Sequence, residues 1–268
     1  MFFDGQNGPL YGVHHAPDPG ADRSHGVLFL PPLGQDYKRC HKPLQKLARD
    51  LASAGFHVLR FDYAGSGDSA GRSVVASWSL DTWREDACDA LRQLQQLSGA
   101  RDVSAFGVRL GASVATQLNV PLANLMLWDP IGDGPAYLEE LEKLNQDLLR
   151  KFRHSFRNGN HIEIPQGQLV GHVFPDSMRE SVSQYAFCVP DGFRASRTLW
   201  IDAEGTPATA RYADFEGRLA EKERHCEIET RCHWRSLAEI GNMIMGQPVA
   251  RQVMVHLKDE TGGHGNRA

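Results

Sequence analysis

The stretch Val103–Asn119, VSAFGVRLGASVATQLN, governs how the rest of the chain is read. Val103, Ala105 and Phe106 form a short apolar run that meets Gly107. Small and apolar residues then alternate through Gly111, Ala112 and Ala115, and stop before Pro121. This pattern predicts a strand, a tight turn and a helix. In the frame G-x-X-x-G at such a junction, strand and helix pass close together, so the flanking positions must be small, and Gly107, Gly111, Ala112 and Ala115 meet that need. The middle residue sits in a strained turn, its side chain carried over the carboxyl edge of a sheet. Here it is Arg109.

Outward from this turn, strand and helix signals alternate. Residues 1–17 read as two short strands around Asn7–Gly8. Gly26–Leu30, GVLFL, is a continuous apolar run of the kind buried on both faces, ended by Pro31–Pro32 with Leu33–Gly34–Gln35 as a loop. A helix is predicted from Pro43 to Ala54, a strand over Phe56–Tyr63, and an amphipathic helix over Trp78–Leu97. Leu122–Trp128 is a further strand, running into Asp129–Pro130. Elements of this length in this order predict an α/β fold with a mostly parallel sheet and helices on both faces.

Tyr137–Phe152 breaks the alternation. It is a helix with an apolar stripe, early glutamates and late arginines that suit the helix dipole. After a punctuated polar stretch with one short helix near Asp176–Phe187, Thr198–Ile201 and Cys226–Thr230 resume the strand pattern. Ser236–Met245 and Pro248–Leu257 supply terminal helix. The expected organisation is a core over 1–133, an inserted cap over 134–196, a second part of the core over 197–260, and a disordered tail over 261–268.

Taken in this order, Leu30–Pro31–Pro32, Arg60–Phe61–Asp62–Tyr63, Gly65–Gly71 (GSGDSAG) and the turn GVRLGA (107–112) resemble the α/β-hydrolase superfamily, in its serine-aminopeptidase or lysophospholipase-like branch. Within that branch, GVRLGA and LWDPIGDG (127–134) resemble exosortase-system-associated hydrolases of bacterial polysaccharide loci, where an arginine at this turn is also familiar. The resemblance implies an α/β-hydrolase fold with Arg109 at the nucleophile position of the elbow. It implies oxyanion donors at Leu110 and at Leu33 or Gly34, beside Gln35. It also implies a histidine after the last strand, His233, and an acid after Thr198–Ile201, Asp202 or Glu204, with Asp129 in reserve.

A guanidinium stays protonated and cannot attack a carbonyl. At a helix amino terminus it can bind an anion, or it can pair with an internal acid such as Asp129 or Glu204. Ser104, on the strand, and Ser113, one turn into the helix, do not reach the elbow tip. Two expectations follow: a degenerate or non-covalent hydrolase binding an acyl or anionic small molecule through Arg109, Asp129 and the oxyanion loop, or an active ester or thioester hydrolase or acyl-transfer enzyme in which His233 and an acid activate water. A third, a dinucleotide-binding oxidoreductase, rests on Gly65–Ala70 matching G-x-G-x-x-A, but helix follows too late for that fingerprint.

The net charge of −4 speaks against a nucleic-acid partner, and no run of apolar residues is long enough for a membrane span. Five scattered cysteines without a C-x-x-C pair fit reduced thiols in a cytoplasm, and Met1–Phe2–Phe3 followed at once by Asp4 gives no signal peptide. No metal or cofactor is expected. A protein partner or a homo-oligomer stays open.

Overall fold

A computed structural model describes residues 1–70, 76–155, 167–191, 193–203, 205, 207–229, 234–235 and 247–259. The hairpin is present: β1 (Phe2–Phe3) pairs antiparallel with β2 (Leu10–His15). β3 (His25–Leu30), β4 (His57–Asp62), β5 (Asp102–Val108), β6 (Leu122–Trp128), β9 (Ala195–Asp202) and β10 (Lys222–Glu227) run parallel. β2 joins β4 antiparallel, and the order across the eight-stranded sheet is β1-β2-β4-β3-β5-β6-β9-β10.

The apolar runs are strands because both faces of the sheet are covered. Leu28 and Leu30, Ala105, Leu125 and Leu127 pack on one face against α2 (Leu80–Ser98) and α3 (Leu110–Ala115). Val27 and Phe29, Phe106 and Val108, Met126 and Trp128 pack on the other, under α1 (Gly34–Ser53) and α6 (Gln247–Lys258). Each fully buried large side chain stabilises the sheet by about 1.5–3 kcal/mol, which is why alternation is lost from the sequence of these strands. α2 begins with Ser79 and Thr82 in a reciprocal capping box and ends on Gly99 in the left-handed conformation.

Three expectations are corrected. α1 starts at Gly34, nine residues before Pro43, so Gly34 and Gln35 are its first turn and not a loop, and Pro43 lies inside the helix. α3 stops at Ala115, and Thr116–Asn119 turn away before Pro121. The last strand is Lys222–Glu227 and not Cys226–Thr230: an edge strand of charged residues carries no apolar run to betray it.

Between the neighbouring parallel strands β6 and β9 the chain builds α4 (Gly134–Ser155), the small hairpin β7 (Gln168–Leu169) and β8 (His172–Val173), and α5 (Asp176–Ser183). These elements occupy the stretch expected as a cap. Residues 236–246 and the tail 261–268, like His233 and Glu204, lie outside the described residues. Among the described residues, no disulfide joins Cys40, Cys88, Cys188 and Cys226, and no helix is long and apolar enough to cross a membrane.

Candidate functional site

The carboxyl ends of β3, β5, β6 and β9 lie side by side and carry Leu33, Arg109, Asp129 and Asp202 in turn. Arg109 caps α3 with φ 52° and ψ −122°, a backbone that non-glycine residues adopt only under strain. The turn is held by close approach. A Cβ at Gly107 would overlap Ala112, and one at Gly111 would overlap the carbonyl of Leu30, so the small residues of the frame do what the sequence requires of them.

Arg109 does not reach solvent: its exposure is 0%. Its guanidinium lies 5.1 Å from the centre of the Trp234 ring and 5.8 Å from that of Tyr137. Nη1 donates to Thr209 Oγ1 at 3.1 Å, and Nε stands 3.6 Å from Asp36 Oδ2. Asp36 is the acid at the centre. Arg235 Nη1 donates to its Oδ1 at 2.9 Å and the Tyr137 hydroxyl to its Oδ2 at 3.2 Å. Burial alone would raise the pKa of Asp36, but the attraction of Arg235 and then Arg109 outweighs it and the net shift is downward. Arg235 in turn donates to Glu140 Oε2 at 3.2 Å, tying α4 to this cluster. Burial opposes its charge too, and Asp36 more than compensates, so its pKa rises.

Asp129 is fully buried at φ 43°. Its Oδ1 accepts from the Ala203 amide at 2.7 Å and its Oδ2 from Trp234 Nε1 at 2.9 Å. Burial pushes its pKa up to about 6, against the pull of Arg109 and these two donors. Trp234 therefore sits between the guanidinium of Arg109 and the carboxyl of Asp129. The internal partner of Arg109 is Asp36, at 3.6 Å; no ion pair joins it to Asp129 among the described residues.

The oxyanion loop is also covered. Leu33 and Leu110 are buried, and His172 of β8 lies directly over Gly34, whose φ is +55°. His172 Nε2 is 3.1 Å from Gln35 Oε1, and burial lowers the His172 pKa. Asp202 is engaged elsewhere: Trp200 Nε1 donates to its Oδ1 at 2.7 Å, and His225 Nε2 lies 2.8 Å from its Oδ2. The structure thus joins Arg109 and Asp129 in one cluster and leaves Asp202 outside it. Ser113 and Ser104 are occupied, the first with the Ile131 backbone and the second with His25 and Asn124. In the glycine loop after β4, the Asp68 amide donates to Asp62 Oδ2, so this chain's own carboxylate fills the turn.

Sequence reasoning missed Asp36, Tyr137, Arg235, His172 and His225. Asp36 directly follows the loop that was read, and Arg235 follows His233 by two residues. No spacing rule links them, because α1, α4 and the segment after β10 meet only in three dimensions.

Residues 37–162 match the family model described as serine aminopeptidase, S33. No curated protein matches the chain. Est1E from Butyrivibrio proteoclasticus superposes with a TM-score of 0.61 at 12% identity, covering 98% of each chain. XC6422 from Xanthomonas campestris, an α/β serine hydrolase without lid, gives 0.53 at 18%, covering 85% of this chain and 82% of its own. The bottromycin epimerase BotH, solved with bottromycin A2, gives 0.57 at 16%, covering 96% and 98%. At these identities the likeness is one of fold. With its sheet order, its elbow and the family match pointing the same way, this chain has the α/β-hydrolase fold.

Proposed function

We propose that this chain is a degenerate, non-covalent member of the α/β-hydrolase superfamily, which holds a ligand and forms no acyl-enzyme. The observation that carries the reading is the state of Arg109. It occupies the elbow tip, has no exposure, and is held by Asp36, Thr209 and two aromatic rings. A residue placed to attack must meet its substrate, and this one meets only the protein. The same burial weakens the case for an anionic ligand on Arg109, since Asp36 already neutralises it. An acyl ligand, and the link to polysaccharide loci, rest on the sequence resemblance. BotH supports the reading in one respect: it is an epimerase on the same fold.

The test is a fluorophosphonate labelling assay and an ester and thioester panel, run on the wild type beside Arg109→Ser and His233→Ala. The expected result is no labelling and no turnover by the wild type. Wild-type turnover that His233→Ala abolishes would overturn the reading in favour of the competing one, an enzyme in which His233 and an acid activate water. Labelling gained in Arg109→Ser would show that the oxyanion donors and base are intact around a missing nucleophile, in keeping with a hydrolase that has lost only its attacking group.

A further inference from the structure

Beside the elbow, at the carboxyl ends of β9 and β10, lies a cavity of about 860 Å3. That volume is within the range of small-molecule sites, and the carboxyl edge is where open α/β sheets place their ligands. Its walls include Asp202 and His225, which the sequence did not pair. Asp202 is fixed from one side by Trp200 and from the other by His225. The His225 imidazole is stacked on the Tyr212 ring, with centres 4.5 Å apart and planes 17° from parallel. Tyr212 is itself anchored, its hydroxyl donating to Glu223 at 3.0 Å. The imidazole is thus held at one edge and on one face.

This arrangement sets the hydrogen-bonding sense of the site. A carboxylate only accepts, so in the neutral ring Nε2 carries the proton toward Asp202 and Nδ1 keeps its lone pair. Nδ1 has no hydrogen-bond partner among the described residues. Glu216 and Glu227, also on the wall, are exposed carboxylates without a hydrogen-bond or ion-pair partner among the described residues. Among the described residues of the lining, Arg211 is the cation, against the carboxylates of Asp202, Glu216 and Glu227. The groups left open are therefore acceptors, and the local charge is negative. Pro207 and Ile228 add apolar surface beneath them.

We propose that this cavity is a binding site for a small organic cation: an ammonium group on an apolar body, its N–H groups donated to His225 Nδ1, Glu216 and Glu227. Asp202 and Tyr212 act as positioning residues, holding the imidazole in the accepting tautomer. The proposal rests on the non-covalent reading above, since it assigns the ligand and no chemistry.

Calorimetry with phenylbutylamine, phenylbutanol and phenylbutanoate, alike in body and different in head group, tests it. The amine is expected to bind at least about tenfold more tightly than the alcohol, and the carboxylate more weakly than either. Glu216→Gln with Glu227→Gln is expected to weaken the amine about tenfold and leave the alcohol unchanged, and His225→Phe, which keeps the stacking on Tyr212, to weaken the amine alone. No saturable binding of the amine up to about 10 mM overturns the proposal, as does equal binding of all three probes or preference for the carboxylate. A binding isotherm is indifferent to turnover, so the labelling assay on Arg109 can fail while this result stands, and the reverse.

Discussion

Arg109 and Asp36 are not equivalent halves of a pair. Removing Arg109 leaves Asp36 with Arg235 and the Tyr137 hydroxyl. Removing the charge of Asp36 leaves Arg235 with Glu140 but strands Arg109 in a buried site, and uncompensated buried charge costs about 3–5 kcal/mol. Urea denaturation should therefore rank Asp36→Asn as destabilising by that amount and Arg109→Met as clearly milder. Equal losses would mean that the 3.6 Å contact carries more than its length suggests. Asp129 gives a second prediction, with its sign. Its pKa is raised to about 6 by burial, so its neutral form is the one the fold favours. The stabilisation is complete below the unfolded-state value near about 4, and is lost as pH rises through about 6, for a total of about 3 kcal/mol. The stability of Asp129→Asn relative to wild type should therefore increase as pH rises from about 4 to about 7; a difference that stays flat would refute it. Neither residue could be assigned this behaviour from the chain alone. Arg109 was legible as an anomaly, because one position in a known frame held a side chain of the wrong chemistry. Its partner was not, because Asp36 had to be brought from another helix.

Elements were legible where a local rule fixes them. The central strands announce themselves as unbroken apolar runs because both faces are buried, and α2 because Trp83, Ala87, Ala90, Leu91 and Leu94 recur on one face; its capping box at Ser79 and Thr82 is seen only in the structure. Ser79→Ala should cost about 1 kcal/mol in thermal unfolding, with Thr82→Ala adding little once the box is broken. Legibility failed where tertiary packing overrode the local signal. Pro43 resembles a helix start, yet α1 already runs through it, since the buried face of Leu44, Leu47 and Leu51 outweighs one lost backbone bond. β10 failed for the opposite reason, having no apolar pattern to read. At the elbow the controlling contact is between backbones, and such a contact cannot relax by rotating a side chain. Gly111→Ala should therefore destabilise by about 3 kcal/mol or more, whereas Ala115→Gly, in the same helix, should cost about 1 kcal/mol.

At the scale of the molecule, the insertion between β6 and β9 is joined to the sheet by charge as well as by packing. Tyr137 and Glu140 of α4 reach Asp36 and Arg235, and His172 of the small hairpin covers the first turn of α1. The sequence predicted an inserted segment from residue 134 but not that Tyr137 and Glu140 reach Asp36 and Arg235. A double-mutant cycle on Glu140 and Arg235 should return a coupling of about 1–2 kcal/mol, in the range measured for groups within one network. A coupling near zero would make the insertion a separate lid resting on an independent core. Trp234 lies where insertion, elbow and sheet meet, its ring under the Arg109 guanidinium and its N–H on the Asp129 carboxyl. The emission colour of an indole follows the electric field along its ring, and here one end of that field is switchable. As Asp129 takes up its charge near pH 6, the fluorescence of Trp234 should shift with it, and the shift should be largely lost in Trp234→Phe, Trp128 being the one other indole packed against this site among the described residues. The protein thus contains its own optical voltmeter, wired across the tip of its elbow.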